Sequence, residues 1–385
     1  MSEIRTAFVH AVRTAKRPVT EAARDFKISR KTAYKWLARF DAGQPLADHS
    51  RRPRASPTRT AVDLEAAVLE VRDRYGWGPR KIHMDLRNLQ RPTPPIRTIA
   101  AILLRQERVR SVPTDSPAIL RFERSQPNQL WQLDFKGYRW IGRAKIYPFT
   151  VLDDHSRYLL AARPGTDQTM LTAWAVLWEL FGDVGLPEAI LCDNAFGSHN
   201  PGVPTISRFE SQLIQLGIRP LHGRPYHPQT QGKIERFHGT LVREVWPRVR
   251  RDTLPNFTAD LEAWRVDVYN SVRPHEAIGD RPPVTRWKPC LRRRPRVLPP
   301  VVYPPGATVR KVCSTGDVSW RSCKLLVGQG LVGEWVRVAE LDDEVVLTYV
   351  AHEIRRVPPR QFPPRRYAVS APPMSLHRAL PMSLH

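Results

Sequence analysis

The chain has 385 residues, of which 41% are hydrophobic, so it can bury two or three domain cores. Its 61 lysines and arginines outnumber 37 aspartates and glutamates, which gives a net charge of +24. This charge predicts a polyanionic partner, and nucleic acid is the leading candidate. Four scattered cysteines argue against a disulfide framework or a zinc ribbon. No apolar run approaches a membrane span or a secretory signal, so we expect a soluble, intracellular protein.

Two short helices joined by a turn are predicted between Val19 and Phe40. In the second helix, apolar residues recur at i, i+3, i+4 and i+7 from Ala33 onward, and Ser29 precedes them as an N-cap. Residues 1–45 therefore form a predicted helix-turn-helix domain whose second helix enters a major groove. A solvated basic helix in a small bundle is the alternative. The candidate DNA contacts on its open face are Arg30, Lys31, Thr32, Tyr34 and Lys35.

Residues 46–60 are rich in proline, serine and arginine without periodicity, which predicts a basic linker. Arg51, Arg52 and Arg54 are candidates to follow a phosphate backbone or to enter a minor groove, and an ordinary charged linker explains them equally well. Three short amphipathic helices follow within residues 61–112 and predict a second helix-turn-helix domain.

The apolar pattern changes to that of strands, and then of alternating helix and strand, over residues 125–280. Three strand-like segments, "LWQLDF", "KIYPFTVLDD" and "RYLLAARP", are followed by helices that alternate with strands such as "EAILCD". This order predicts a mixed sheet covered by helices. After it we expect a Pro/Arg-rich linker at 281–305, a small β-barrel at 306–358 and a disordered tail at 359–385, where PMSLH repeats.

Three carboxylates stand out in the central region. Asp134 ends the first strand and Asp193 ends "EAILCD", so both reach one edge of the sheet if these strands are parallel neighbours. Glu235 lies in the first turn of a helix that follows the loop "HPQTQG". The acidic pair Asp153 and Asp154 offers rival carboxylates, which we interpret as structural.

Three adjacent carboxylates raise one another's pKa values unless a cation lies between them. Hard oxygen ligands select magnesium or manganese over zinc. Two such ions can activate an attacking oxygen and stabilise a leaving oxygen at phosphorus. Strand-end aspartates acting as caps or turn residues are the structural alternative.

Several motifs in order resemble the integrase-type catalytic core of bacterial insertion-sequence transposases and retroviral integrases, the DDE superfamily. They are "WQLDFKG" around Asp134, "LCDN" at Asp193, "RPYHPQTQGKIERFHGTL" around Glu235 and "YNSVRPHEAIGDRPPVTRW" after the core. The resemblance implies a multidomain chain with N-terminal all-α helix-turn-helix units, a central α/β ribonuclease H-like core and a C-terminal small β-barrel. It also implies that Asp134, Asp193 and Glu235 are the catalytic residues and metal ligands.

The same resemblance implies two Mg²⁺ ions, or Mn²⁺, with Asp134 bridging both, Asp193 on one and Glu235 on the other. The implied reaction cuts double-stranded DNA at the terminal inverted repeats of a transposon and joins the freed 3′-hydroxyl to target DNA. Lys233 and Arg236 would hold the DNA backbone, although solvated helix ends explain them nearly as well. We expect a homo-oligomer without membrane association, in the bacterial cytoplasm and on the nucleoid when bound to DNA.

Two positions depart from the family pattern. The interval from Asp193 to Glu235 is longer than usual, and Ala195 stands where the family commonly has glycine. These departures keep a second hypothesis open, a catalytically inactive DNA-binding regulator derived from a transposase. Ribonuclease H-like RNA cleavage ranks third, because it leaves the helix-turn-helix units unexplained.

Overall fold

The computed structural model divides the chain into two compact units, Met1–Thr60 and Ala61–His385. Within the described residues, no helix is long and apolar enough to cross a membrane. The structure describes residues 2–47, 60–108, 123–192, 196–197, 203–222, 232–341 and 344–358. The predicted tail at 359–385 lies outside these ranges.

The first unit contains three helices around one small core. The rings of Phe8 and Trp36 pack edge to face with centroids 5.7 Å apart, and Leu37 is buried beside them. The predicted N-cap is confirmed, because the Ser29 side chain accepts a hydrogen bond from the backbone N–H of Thr32 at 3.1 Å. The helices are α1 (Ser2–Arg13), α2 (Val19–Asp25) and α3 (Arg30–Asp41).

The apolar stripe predicted along α3 is shorter than its spacing indicates. Phe40 is 50% exposed, since the buried cluster shared with α1 and α2 covers α3 only as far as Leu37. Helix α1 was not predicted from the sequence, yet its Phe8 and Val9 are fully or almost fully buried in this core.

Three more helices begin the second unit and pack around Val68, Ile82 and Ile99. Gly76 ends the first of them at φ +71°, a left-handed conformation that favours glycine. These helices also contact the central region predicted at residues 125–280, because Val268 packs against their apolar cluster. They are α4 (Val62–Tyr75), α5 (Pro79–Asn88) and α6 (Ile96–Arg105).

A six-stranded mixed sheet forms the centre of the second unit, as predicted. Its order is β2-β3-β1-β5-β6, with β4 paired to β3. The pairs β1–β3, β2–β3 and β3–β4 are antiparallel, whereas β1–β5 and β5–β6 are parallel. The strands are β1 (Trp131–Phe135), β2 (Arg139–Ile141), β3 (Ala144–Asp153), β4 (Leu159–Gly165), β5 (Ala189–Cys192) and β6 (Arg219–His222).

Helices cover both faces of this sheet because alternate strand residues are apolar on both sides. Phe149 and Val151 of β3 join one core with α7 and α8, whereas Leu152 joins the other with α9 and α10. Helices α9 and α10 continue as π-helical turns at Leu241–Val245 and Trp264–Asn270. The four helices are α7 (Met170–Val184), α8 (Arg208–Gln215), α9 (Gly232–Thr240) and α10 (Leu254–Ala263).

Residues 281–305, predicted as a linker, lie along the core. The Trp287 ring stacks on Tyr158 with centroids 4.2 Å apart, and Cys290 is buried in the core shared with α7 and α8. The guanidinium of Arg292 donates to the carbonyl of Gly217 at 3.0 Å. A few anchors of this kind hold a segment whose proline and arginine content predicts no fixed structure.

The C-terminal region is not a closed barrel among its described residues, so the predicted small β-barrel is not confirmed. It contains a four-stranded antiparallel sheet in the order β12-β11-β10-β7 and a separate hairpin of β8 and β9. The two share one apolar core with Ile206 and Ile214, but β7 and β12 remain edge strands that do not pair with each other. The strands are β7 (Val309–Lys311), β8 (Asp317–Trp320), β9 (Cys323–Leu326), β10 (Trp335–Leu341), β11 (Glu344–Tyr349) and β12 (His352–Val357).

Candidate active site

The strand that contains Asp134 and the strand that precedes Asp193 are parallel neighbours, which is the condition under which the sequence places both carboxylates at one sheet edge. Gln132 of β1 lies opposite Leu191 of β5, so both strands run to the same edge of the sheet. Asp134 lies near the end of β1, and Cys192 ends β5. Asp193, which comes next, lies outside the described residues, as does Ala195.

Helix α9 is held against the end of β1 beside Asp134. The Asp134 carboxylate is 27% exposed, and its Oδ2 lies 3.7 Å from Nδ1 of the buried His238. Thr150, opposite Asp134 in the β1–β3 ladder, places its hydroxyl 3.1 Å from the Asp134 carbonyl oxygen and 3.0 Å from Nε2 of His238. This chain of contacts fixes α9 relative to Asp134.

Burial, with the nearby Lys136 ammonium as a smaller cause, lowers the pKa of His238 to about 4. The imidazole is therefore neutral at pH 7 and adds no positive charge beside Asp134. A sequence signal for this contact existed, because His238 follows Glu235 by three residues on a predicted helix, but its partner Thr150 could not be inferred.

Glu235 lies in the first turn of α9, one turn before His238. Residues three apart share one side of a helix, so Glu235 is on the side of α9 that meets Asp134. Its side chain is exposed, and it makes no ion pair with any residue that the structure describes. Asp134 therefore lies on a strand, and Glu235 lies on the helix that packs beside the end of that strand.

The ammonium of Lys233 contacts Asp154 in the interior of the protein. Asp154 is fully buried and also accepts hydrogen bonds from Nε2 of Gln132 and the backbone N–H of Arg124, both at 2.8 Å. A DNA phosphate would have to compete with this carboxylate for Lys233. Arg236, the other predicted backbone contact on α9, is exposed.

Asp153 is a structural carboxylate, in agreement with its interpretation from the sequence. It is fully buried and accepts hydrogen bonds from the backbone N–H groups of Ser156 and Asn128, both at 2.7 Å. Burial raises the pKa of Asp153. Asp153 and Asp154 are therefore both buried in the core, and Asp134 is the carboxylate at the strand edge.

A second pair of titratable groups lies at the end of β6. His222 is opposite Cys192 in the β5–β6 ladder, and its Nε2 lies 2.7 Å from Oε1 of Glu210. Glu210 also completes a capping box with Ser207 at the start of α8. The Ser-x-x-Glu pattern was visible in the sequence, but the contact with His222 depends on strand pairing.

The exposed face of α3 carries four of its five predicted DNA contacts. Thr32 differs, since it is half-buried and its hydroxyl lies 2.8 Å from that of Ser29. The exposed residues are Arg30, Lys31, Tyr34 and Lys35. The arginines predicted to follow DNA from the linker, Arg51, Arg52 and Arg54, lie outside the described residues.

No group of three histidine, cysteine, aspartate or glutamate side chains that could hold a metal ion occurs among the described residues. The predicted metal ligands include Asp193, which is not one of them. The described part of the predicted set is therefore Asp134 and Glu235.

Known protein families match two parts of the chain, the central region and the N-terminal helices. Residues 124–228 and 216–283 match two family models, each described as "Integrase core domain". Residues 5–54 match a model described as "Helix-turn-helix domain".

Curated relatives match one part of the chain. The Gag-Pro-Pol polyproteins of Mason-Pfizer monkey virus and Simian retrovirus SRV-1 are each 36% identical over 119 residues, which is 31% of this chain. That of sheep pulmonary adenomatosis virus is 32% identical over 120 residues. The chain spans about 6% of the length of these polyproteins.

Two solved structures are also similar. The HTLV-2 integrase catalytic core domain in complex with magnesium is 16% identical with a TM-score of 0.30, covering 42% of this chain and 97% of that one. The simian T-cell lymphotropic virus intasome in complex with PP2A regulatory subunit B56 gamma is 14% identical with a TM-score of 0.37, covering 75% and 98%. The family matches cover a helix-turn-helix region and most of the central region, and in its central region the chain resembles retroviral integrases.

Proposed function

We propose that this chain is the DDE transposase of an insertion sequence, which cleaves DNA at transposon ends and joins the freed 3′-hydroxyl to target DNA. The observation that carries the proposal is the approach of α9 to the end of β1 at Asp134, next to the parallel strand whose end precedes Asp193. The integrase core matches support the same reaction class.

The donor set suits a hard divalent cation. Asp134 is partly exposed at the strand edge and Glu235 is exposed, and carboxylate oxygens are the ligands that Mg²⁺ prefers. Asp134, Asp193 and Glu235 would hold two Mg²⁺ or Mn²⁺ ions. When bound, such ions supply charge stabilisation for the attacking and leaving oxygens at phosphorus.

The protein's own residues would position the DNA and the carboxylates. Thr150 and His238 fix α9 against β1, and the Lys233–Asp154 contact anchors the start of α9. Arg236, on the exposed side of the same helix, would contact the DNA backbone. Because Asp134 is on a strand and Glu235 is on a helix fixed against that strand, these two carboxylates would need little rearrangement when DNA binds.

The helix-turn-helix domain would recognise the terminal inverted repeats through the exposed face of α3. Its contacts would come from three cations and one aromatic side chain, which are Arg30, Lys31, Lys35 and Tyr34. Because two transposon ends must be joined to one target, the active form would be a homo-oligomer bound to double-stranded DNA.

The proposal is tested with the purified chain and DNA carrying the inverted repeats that flank its gene. We expect nicked and joined products with Mg²⁺ or Mn²⁺, and unaltered DNA with EDTA, because the carboxylates alone cannot stabilise the charge at phosphorus. Gel-shift assays should show DNA binding in both conditions. Joining that persists in EDTA would contradict a metal-dependent reaction, and binding without joining in either metal would favour the inactive regulator.

A further inference from the structure

The hairpin of β2 and the start of β3 carries an exposed aromatic face. Trp140 and Lys145 are paired across the two strands, and Tyr147 follows on the same side of β3. Tyr138 completes this set, with its ring in edge contact with that of Tyr147. We call Tyr138, Trp140, Lys145 and Tyr147 the hairpin face. The exposed fractions of Tyr138 and Trp140 are 50% and 59%.

The hairpin face is positively charged. The Lys145 ammonium lies 4.1 Å from the ring centroid of Tyr138 and 5.5 Å from that of Tyr147, so it is placed between two aromatic rings. From Phe135 to Leu152 the sequence contains no aspartate or glutamate. The cations in this segment are Lys136, Arg139, Arg143 and Lys145.

The hairpin face lies beyond the sheet edge that carries Asp134. Thr150 is opposite Asp134, and Lys145 comes five residues earlier on β3. At about 3.3 Å per residue, the separation along the strand is roughly 16 Å. Because Lys145 and Thr150 are an odd number of residues apart, the hairpin face and the Asp134 side chain lie on opposite faces of the sheet, and a DNA strand that reaches both would pass around this edge.

We propose that the hairpin face binds unpaired DNA bases next to the site of strand cleavage, with Trp140 as the stacking surface and Lys145 beside the phosphates. This inference rests on the proposed DNA reaction at Asp134. Any base can stack on an exposed indole, with a typical gain of about 1–3 kcal/mol per base. Bases of an intact duplex already stack on each other, so unpaired nucleotides fit this surface better. The Lys145 cation on this face, in a segment without aspartate or glutamate, favours a polyanion over a protein partner.

The test compares two labelled DNA probes with the full chain in EDTA, a blunt duplex and the same duplex with a three-nucleotide overhang. Fluorescence anisotropy should show at least about fivefold tighter binding of the overhang probe, the lower end of the stacking range. Trp140→Ala should remove this preference and leave blunt-duplex binding unchanged, whereas Trp140→Phe should keep part of it. Trp335→Ala is the matched control, because this tryptophan is 49% exposed on β10.

A second variant tests the charge. Lys145→Gln should reduce the salt dependence of overhang binding by about one phosphate contact. The proposal is overturned if Trp140→Ala keeps the overhang preference, weakens both probes equally, or changes the oligomeric state measured by light scattering.

The variant Asp134→Asn separates catalysis from this binding. It should join no DNA but should still bind the overhang probe more tightly than the blunt duplex. If the wild-type chain shows the preference but joins no DNA, the transposase proposal fails and the binding proposal stands. If it joins DNA without any preference for the overhang, the binding proposal fails.

Discussion

Replacing Glu235 with glutamine is expected to slow metal-dependent DNA joining by about 1000-fold while duplex binding stays within about twofold. The loss corresponds to about 4 kcal/mol of transition-state stabilisation, which is within the several kcal/mol that a metal ion supplies. Glutamine keeps the shape of the side chain but removes the anionic oxygen. Because Glu235 is exposed and makes no ion pair with the described residues, its replacement should leave the fold intact.

The rate is measured as joined product formed in a single turnover at saturating DNA, and binding by gel shift. Glu179→Gln provides the matched control, since Glu179 is an exposed glutamate on α7 of the same core. We expect the control to join DNA at the wild-type rate. Wild-type joining by Glu235→Gln would remove Glu235 from the metal site.

The second large effect concerns stability. Glu244 is buried where α9 continues into its π-helical turn, and it accepts hydrogen bonds from Trp77 Nε1 at 3.1 Å, Lys81 Nζ at 3.0 Å and Arg273 Nη2 at 2.8 Å. Glu244→Ala should lower the free energy of unfolding by about 3–5 kcal/mol, because it leaves the buried Arg273 charge without its partner.

The pH dependence follows from the same contacts. Burial raises the pKa of Glu244, but hydrogen bonds and charge from Arg273 and Lys81 outweigh it and hold the pKa at about 2. A carboxyl whose folded pKa lies below its unfolded value of 4.5 stabilises the fold above that value. About 3 kcal/mol of stability should therefore be lost as pH falls from 4.5 towards 2, and Glu244→Ala should flatten this part of the profile.

Urea unfolding followed by tryptophan fluorescence measures both effects. Glu70→Ala is the control, because Glu70 forms an exposed ion pair with Arg74 at 2.9 Å on α4, and such pairs contribute less than about 1 kcal/mol. Equal losses of stability in Glu244→Ala and Glu70→Ala would contradict the role assigned to the buried carboxylate.

Local patterns in the sequence were sufficient for the elements that position the site. The strand-like run ending at Asp134, the buried run before Asp193 and the helical spacing around Glu235 each correspond to the observed element. The N-cap at Ser29 is also a local signal, since its hydrogen bond spans only three residues. Periodicity and capping are set by neighbouring residues, so they can be read directly from the chain.

Contacts between distant residues could not be read in this way. Trp77 and Glu244 are 167 residues apart, and no local pattern pairs them. The segment that includes Trp287 has the composition of a linker, yet a single stacked indole and a buried cysteine hold it on the core. The predicted barrel is not confirmed for the same reason, because strand spacing does not specify which edges pair.

The most direct test of the central claim is the DNA-joining rate of Asp193→Asn with Mg²⁺, measured beside the wild-type chain on DNA with its own terminal repeats. Three carboxylates that act as one metal site require Asp193 as well as Asp134 and Glu235. We predict that Asp193→Asn binds this DNA like the wild type but forms no joined product above background. Joining at the wild-type rate would contradict the metal site and the transposase mechanism built on it.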